Sequence, residues 1–129
     1  MIKVATRERE GEPKKPTRYF SKKQEDAVAK AVSGHRNANS GATPFQPGDV
    51  TLGSLLLIEC KTKMKSSDSI SIRKEWLEKN LQEAVFSGKK YNLLAFNFGP
   101  NESNYYILNQ ELFYEFLEFL KTKYPNLID

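Results

Sequence analysis

Apolar residues recur at helical spacing in three stretches of the chain and crowd into short runs between them. Ala27, Val28, Ala31 and Val32 form the first stripe, spaced as one face of an amphipathic helix. Ser21 with Gln24 three residues on resembles a capping box at its start, and Ser33-Gly34 is a stop. Trp76, Leu77, Leu81, Ala84 and Val85 predict a second helix over residues 73–87, closed by Gly88. Leu112, Phe113, Phe116, Leu117 and Leu120 predict a third over residues 110–123. The short runs predict strands at residues 49–52, 55–61, 93–98 and 105–108. Gly53-Ser54 and Gly99-Pro100-Asn101 are the turns. Leu55 to Ile58 is apolar on both faces, which implies a central strand covered on both sides.

The polar stretches complete the layout. Residues 1–18 carry charge, Gly11, Pro13 and Pro16 without periodicity, and are expected to form a basic flexible arm before a single domain at 19–129. Residues 35–47 are expected to be a loop, and the Lys- and Ser-rich residues 62–71 a mobile one. The resulting order of helices and strands predicts an α/β domain, a mixed sheet flanked by helices. One core is what 129 residues can bury. The aromatic residues Phe113, Phe116, Phe119, Tyr105, Tyr106 and Tyr114 are expected to fill it, in preference to forming a base-stacking platform.

Charge and composition narrow the partners. Residues 1–36 hold 10 basic against 5 acidic side chains, a bias that attracts polyanions in a salt-dependent way. The longest apolar run is far too short to span a membrane, so no membrane partner and a cytoplasmic location are expected. One cysteine and one histidine exclude an internal disulfide and a cysteine-built zinc site.

The candidate chemistry sits in the hairpin. Asp49 opens one strand and Glu59 lies near the end of the next, so a turn at Gly53-Ser54 sets them side by side. Two carboxylates there repel each other unless a cation joins them. The backbone carbonyl of Cys60 would face the same cleft as a further ligand, and Lys61 lies on the face of Glu59 by the period of two. A divalent metal with a lysine beside it is the equipment of phosphodiester hydrolysis. The same residues are compatible with a turn-capping Asp49 and an exposed Glu59–Lys61 ion pair. Glu25 lies at the edge of the first helix's apolar face, either turned into a cleft or solvated. Lys22, Lys23, Lys63 and Lys65 are candidate DNA contacts or plain surface charge.

Gly48-Asp49 followed by Glu59-Cys60-Lys61 resembles the core motif of the PD-(D/E)XK nuclease superfamily, with Gly48 in the place of proline. The resemblance spans residues 21–98 and implies a restriction-endonuclease-like αβββαβ core. The order Glu25, Arg36, Ser40-Gly41, Asp49, Glu59-x-Lys61, Lys79/Gln82 is similar to that of small archaeal and phage-type Holliday-junction resolvases. It implies a Mg²⁺- or Mn²⁺-dependent endonuclease acting on branched or four-way DNA as a homodimer, in a prokaryotic or phage-infected cell. On it, Asp49, Glu59 and the Cys60 backbone carbonyl hold the metal, Glu25 assists through water, and Lys61 orders the nucleophile. Arg36 and Ser40 contact phosphate, and Lys79 and Gln82 point at the site from their helix. Gly34 and Gly41 would let the backbone approach phosphate. A restriction- or repair-type nicking nuclease, a non-catalytic DNA-binding module, and a protein-interaction domain with an acidic last helix (Glu111, Glu115, Glu118) are the alternatives.

Overall fold

The computed structural model describes residues 17–37 and 49–129. Helix α1 (Thr17–Val32) leads into strand β1 (His35–Arg36), and β2 (Val50–Leu52) and β3 (Leu56–Lys61) form a hairpin. Helix α2 (Lys74–Phe86) crosses to β4 (Tyr91–Phe96), after which come β5 (Tyr105–Leu108), α3 (Gln110–Lys123) and a short 3₁₀ turn (Pro125–Leu127). The described residues thus form a small α/β domain with a mixed five-stranded sheet, in spatial order β1-β2-β3-β4-β5. Only β3 and β4 are parallel, as expected for strands joined by a helical crossover. The other neighbours are antiparallel.

Alternation along β3 and β4 sorts the two faces. Ile58, Leu93 and Ala95 join Val28, Ala29 and Val50 in the buried core under α1. Leu57 and Leu94, also without exposure, lie on the α2 side of the sheet. The doubly apolar run therefore occupies the central strand that its composition predicts.

Several elements differ from expectation for identifiable reasons. The first helix begins at Thr17, so Ser21 lies inside it rather than capping it, and residues 17 and 18 belong to the domain rather than the arm. Its buried face is Gln24, Glu25, Val28 and Ala29, with Ala27 and Ala31 exposed. The stripe is turned because α1 packs on β1–β3 through that side. A strand also forms within the expected loop, where His35 pairs with Thr51 and Arg36 with Val50. Two residues are too short to carry a periodic signal. Ser33 turns the chain at φ 60°, and Gly34 then passes so close to β2 that a Cβ would stand 2.3 Å from the Thr51 carbonyl oxygen. Gly34 thus serves packing between α1 and the sheet, not approach to phosphate.

Residues 62–71 are tied down. The Ser67 amide donates to the Phe98 carbonyl at 2.8 Å, and the Lys63 ammonium donates to Ser67 Oγ and the Ser69 carbonyl. Gly99 makes this approach possible, since a side chain there would collide with Ser66. At the other end, α3 has the expected limits, with the Asn109 side chain capping it by accepting from the Leu112 amide at 2.9 Å. None of its residues is buried, however. Phe113, Phe116 and Phe119 are exposed, as are Tyr105, Tyr106 and Tyr114, so these aromatics are not the core. Leu77, Leu81 and Val85 of α2 are likewise exposed, while Asn80 and Ala84 take the buried positions.

Candidate active site

The hairpin register begins at Val50 paired with Ile58, and Asp49 immediately precedes it. Asp49 is a bend residue just before β2, its amide donating to the Ile58 carbonyl at 3.0 Å, one residue out of the Val50–Ile58 register, while the Asn37 amide donates to the Asp49 carbonyl at 2.8 Å. The Asp49 side chain is then fixed by the Cys60 amide, which donates to Oδ2 at 2.7 Å. Asp49 is only 8% exposed. Its carboxylate is held by β3 at the step between Glu59 and Lys61.

Glu25 reaches the same region from α1 and is 3% exposed. Arg18 Nη1 stands 3.5 Å from its Oε2 and Arg36 Nη1 3.8 Å from Oε1. Arg36 makes its shorter contact, 2.8 Å, with Asp26. Glu25 Oε1 is buried without a hydrogen-bond partner among the described residues. Burial, then the nearby charge of Asp49, pushes the Glu25 carboxyl up to about 7 against the opposing pull of Arg18 and Arg36.

Glu59 faces α2. Its carboxyl is also pushed up to about 7, first by burial and next by Asp49, although Lys61 and Lys79 act in the other direction. Lys61 Nζ lies 3.4 Å from Glu59 Oε2 and 4.4 Å from the centre of the Trp76 ring. The indole face attracts the cation and limits where it can swing. A cleft of about 370 Å³ lined by Glu59, Lys61, Glu75, Trp76 and Lys79 opens at this point. Cys60 has its side chain on the opposite face, against the core, where burial raises its thiol well above the ordinary range. That thiol is an inert packing group.

Three carboxylates, from α1, the residue before β2, and β3, thus lie in one region, with Asp49 raising both glutamates. On the α1 side Arg18 and Arg36 lie beside Glu25, yet its buried Oε1 has no hydrogen bond among the described residues. Among the described residues no three His, Cys, Asp or Glu side chains are drawn together as a ready metal cage. The donors are hard oxygens, the class Mg²⁺ or Mn²⁺ takes while retaining several waters. Asp49 and Glu59 are the residues that could hold such an ion.

The remaining candidates fall into three groups. Arg36 adjoins Glu25, and Lys79, which pairs with Glu83 at 3.7 Å, lies toward Glu59. Lys22, Lys65 and Gln82 are exposed, Lys23 donates to Asn101, and Lys63 is engaged within its own loop rather than turned outward. Ser40, Gly41 and Gly48 lie outside the described residues, as do residues 1–16. Sequence patterning missed Arg18, assigned to the arm, and Trp76, assigned to the core by its helical spacing. An aromatic residue 15 positions along the chain from Lys61 gives no local signal of a cation contact. No protein-family model matches the chain, and neither a curated protein nor a solved structure is similar to it.

Proposed function

We propose that the protein is a metal-dependent DNA endonuclease with a restriction-endonuclease-like core, acting on branched DNA such as a four-way junction. The observation that carries this reading is the buried pair Glu25 and Asp49 beside the half-buried Glu59, with Lys61 against Trp76. Carboxylates that raise one another's pKa are costly to keep without a cation, and phosphodiester cleavage is a reaction that uses one. The helix, three antiparallel strands, crossover helix and parallel strand also agree in order with such a core.

Bound at Asp49 and Glu59, Mg²⁺ or Mn²⁺ would lower the pKa of water and offset charge on the phosphate. The chain's own groups do the rest. The Asp49 carboxylate is held in place by the Cys60 amide, so its direction is preset. Lys61, steadied by Trp76 and Glu59, orients the attacking water or donates to a non-bridging phosphate oxygen as negative charge grows there. Arg18 and Arg36 supply positive charge on the α1 side, which draws the strand toward the carboxylates.

A second copy of the chain is the partner that the apolar surface favours. A fully exposed aromatic residue offers about 150–250 Å². At roughly half exposure, Tyr105, Phe113, Tyr114, Phe116 and Phe119 together offer about 500 Å². Leu77, Leu81, Val85 and Phe86 extend this toward the ~800 Å² per partner of a standard interface. A groove lined by Leu77, Leu81, Ile107 and Leu108 connects α2 with the start of α3.

The test is incubation with a labelled four-way junction, its linear duplex and a single strand, in Mg²⁺, Mn²⁺ or EDTA. Paired, metal-dependent cuts in the junction alone, lost in Asp49→Asn and Glu59→Gln, are the expected result. Equal cutting of all three substrates would remove the junction preference, and no cutting of any would overturn the enzyme reading.

A further inference from the structure

A second cleft, of about 210 Å³, opens on the other side of the β3 terminus from Lys61's side chain. Thr62 follows β3 and Asn97 follows β4, so the cleft lies outside the carboxyl ends of the two parallel strands. Ligands in α/β sheets favour that position. Its walls are unlike the carboxylate site. Phe20 of α1 and Pro100 of the β4–β5 turn are flat and apolar, and amide side chains fill the polar part.

Those amides form a connected row. Gln24 Nε2 donates to the Lys61 carbonyl at 2.9 Å and to Asn104 Oδ1 at 3.0 Å, and Asn97 Nδ2 donates to the same Asn104 oxygen at 3.3 Å. Thr62 Oγ1 donates to Asn97 Oδ1. Each of these bonds is local to the row, and they hold Asn104 with its oxygen turned inward. The Asn104 amide nitrogen has no hydrogen-bond partner among the described residues, and Gln24 Oε1 is buried without one. Lys23 and Glu102 stand at the rim, with Lys23 donating to Asn101. With one charge of each sign at the rim and amides inside, the cleft suits a neutral ligand with hydrogen-bonding edges.

We propose that this cleft receives the base of one unpaired nucleotide of the bound DNA strand. Phe20 and Pro100 flank the ring, the Asn104 amide bonds its edge, and Glu102 accepts from an exocyclic amino group. Flat walls plus edge-directed amides are how proteins hold a base taken out of its stack. The cleft and the carboxylates share one turn of α1, since Gln24 faces the first and its neighbour Glu25 the second. A nucleotide whose phosphate lies at the carboxylates can therefore place its base here. The inference rests on the nucleic-acid reading above and accounts for a preference for interrupted duplexes.

The experiment compares two otherwise identical duplexes in Ca²⁺, one with a single unpaired dA and one with an abasic nucleotide at that position. Binding is measured by fluorescence anisotropy for the wild type, Phe20→Ala and Asn104→Ala. The wild type is expected to bind the unpaired dA about tenfold more tightly than the abasic duplex. Both variants should lose that ratio while keeping their affinity for the abasic duplex, which shows that they are folded. Equal affinity of the wild type for the two duplexes would overturn the inference, as would a ratio preserved in both variants. The readout is binding alone, so equal wild-type affinities for the two duplexes, with metal-dependent cutting intact in a separate assay, remove the base cleft alone. Failure to bind either duplex removes both readings.

Discussion

The two ends of the described chain use their side chains in opposite ways. Around α1 and the β2–β3 hairpin, charged groups are buried: Glu25 and Asp49 are under 9% exposed and share the interior with Val28, Val50 and Ile58. Around α3, apolar groups are exposed, with three phenylalanines standing in the open on a helix that has no buried residue. Each arrangement is costly for an isolated domain, the first through desolvated charge and the second through unburied apolar area. The contrast teaches that the two regions carry opposite costs. On the proposed function, a cation would offset the first and a second copy of the chain would cover the second.

The largest effect should come from the buried acids. Asp49→Asn keeps the shape of the side chain but removes its charge, and is expected to lower cleavage of a junction substrate on the order of 10³-fold. Single-turnover rates with folding checked by circular dichroism would measure it. A residual rate within threefold of wild type would separate the acids from the chemistry.

Core and surface positions should then divide the stability. Ile58→Ala deletes a fully buried side chain and should cost about 2–5 kcal/mol in urea unfolding. Phe116→Ala, on the open face of α3, should cost about 0.5 kcal/mol or less in dilute solution. Its effect is expected instead on mass, as loss of a dimer in sedimentation velocity. If Phe116→Ala unfolds the dilute protein as readily as Ile58→Ala, the face is already covered and the comparison fails.

Acidity offers a test confined to the carboxylate region. Glu25 and Glu59 are raised in the folded protein from an ordinary value of 4.5 to about 7. The folded state therefore holds protons that the unfolded chain has released between those values. Stability contributed by these groups is full below about pH 4.5 and is lost as pH rises to about 7. The fall should be on the order of 3 kcal/mol in EDTA, since the groups interact and do not contribute independently. Thermal melts across this range would show it, and a flat profile would mean that the acids are already compensated.

A smaller change is expected at Trp76. Trp76→Leu retains apolar bulk but removes the ring face under Lys61, and should lower cleavage about tenfold with little change in substrate affinity. Rescue of the rate by Trp76→Phe would assign the loss to the ring rather than to packing.

Much of this was legible from local patterns, and the gaps have a common physical origin. The limits of α3 at Gln110–Lys123 and of β5 at Tyr105–Leu108 follow from period, cap and turn residues, all of them local. The approach of Asp49 to the end of β3 follows from the hairpin, which is also short-range. Burial is different. An apolar stripe says that a helix has a face, while Phe113 and Phe116 show that it does not say whether anything covers that face. The same limit hid Gln24, read as a capping residue when it is a buried amide bonded to Lys61, Ala95 and Asn104. Those partners are 37 to 80 residues away, beyond any local signal. The missed β1 is a two-residue strand whose existence depends on β2 beside it.

The central claim is that Asp49 and Glu59 form one divalent-metal site, and Mn²⁺ titration by isothermal calorimetry at pH 7.5 tests it most directly. A saturable isotherm in the wild type, lost in both Asp49→Asn and Glu59→Gln and accompanied by a rise in melting temperature, is the result the account predicts. No binding to the wild type, or binding unchanged in both variants, would contradict it.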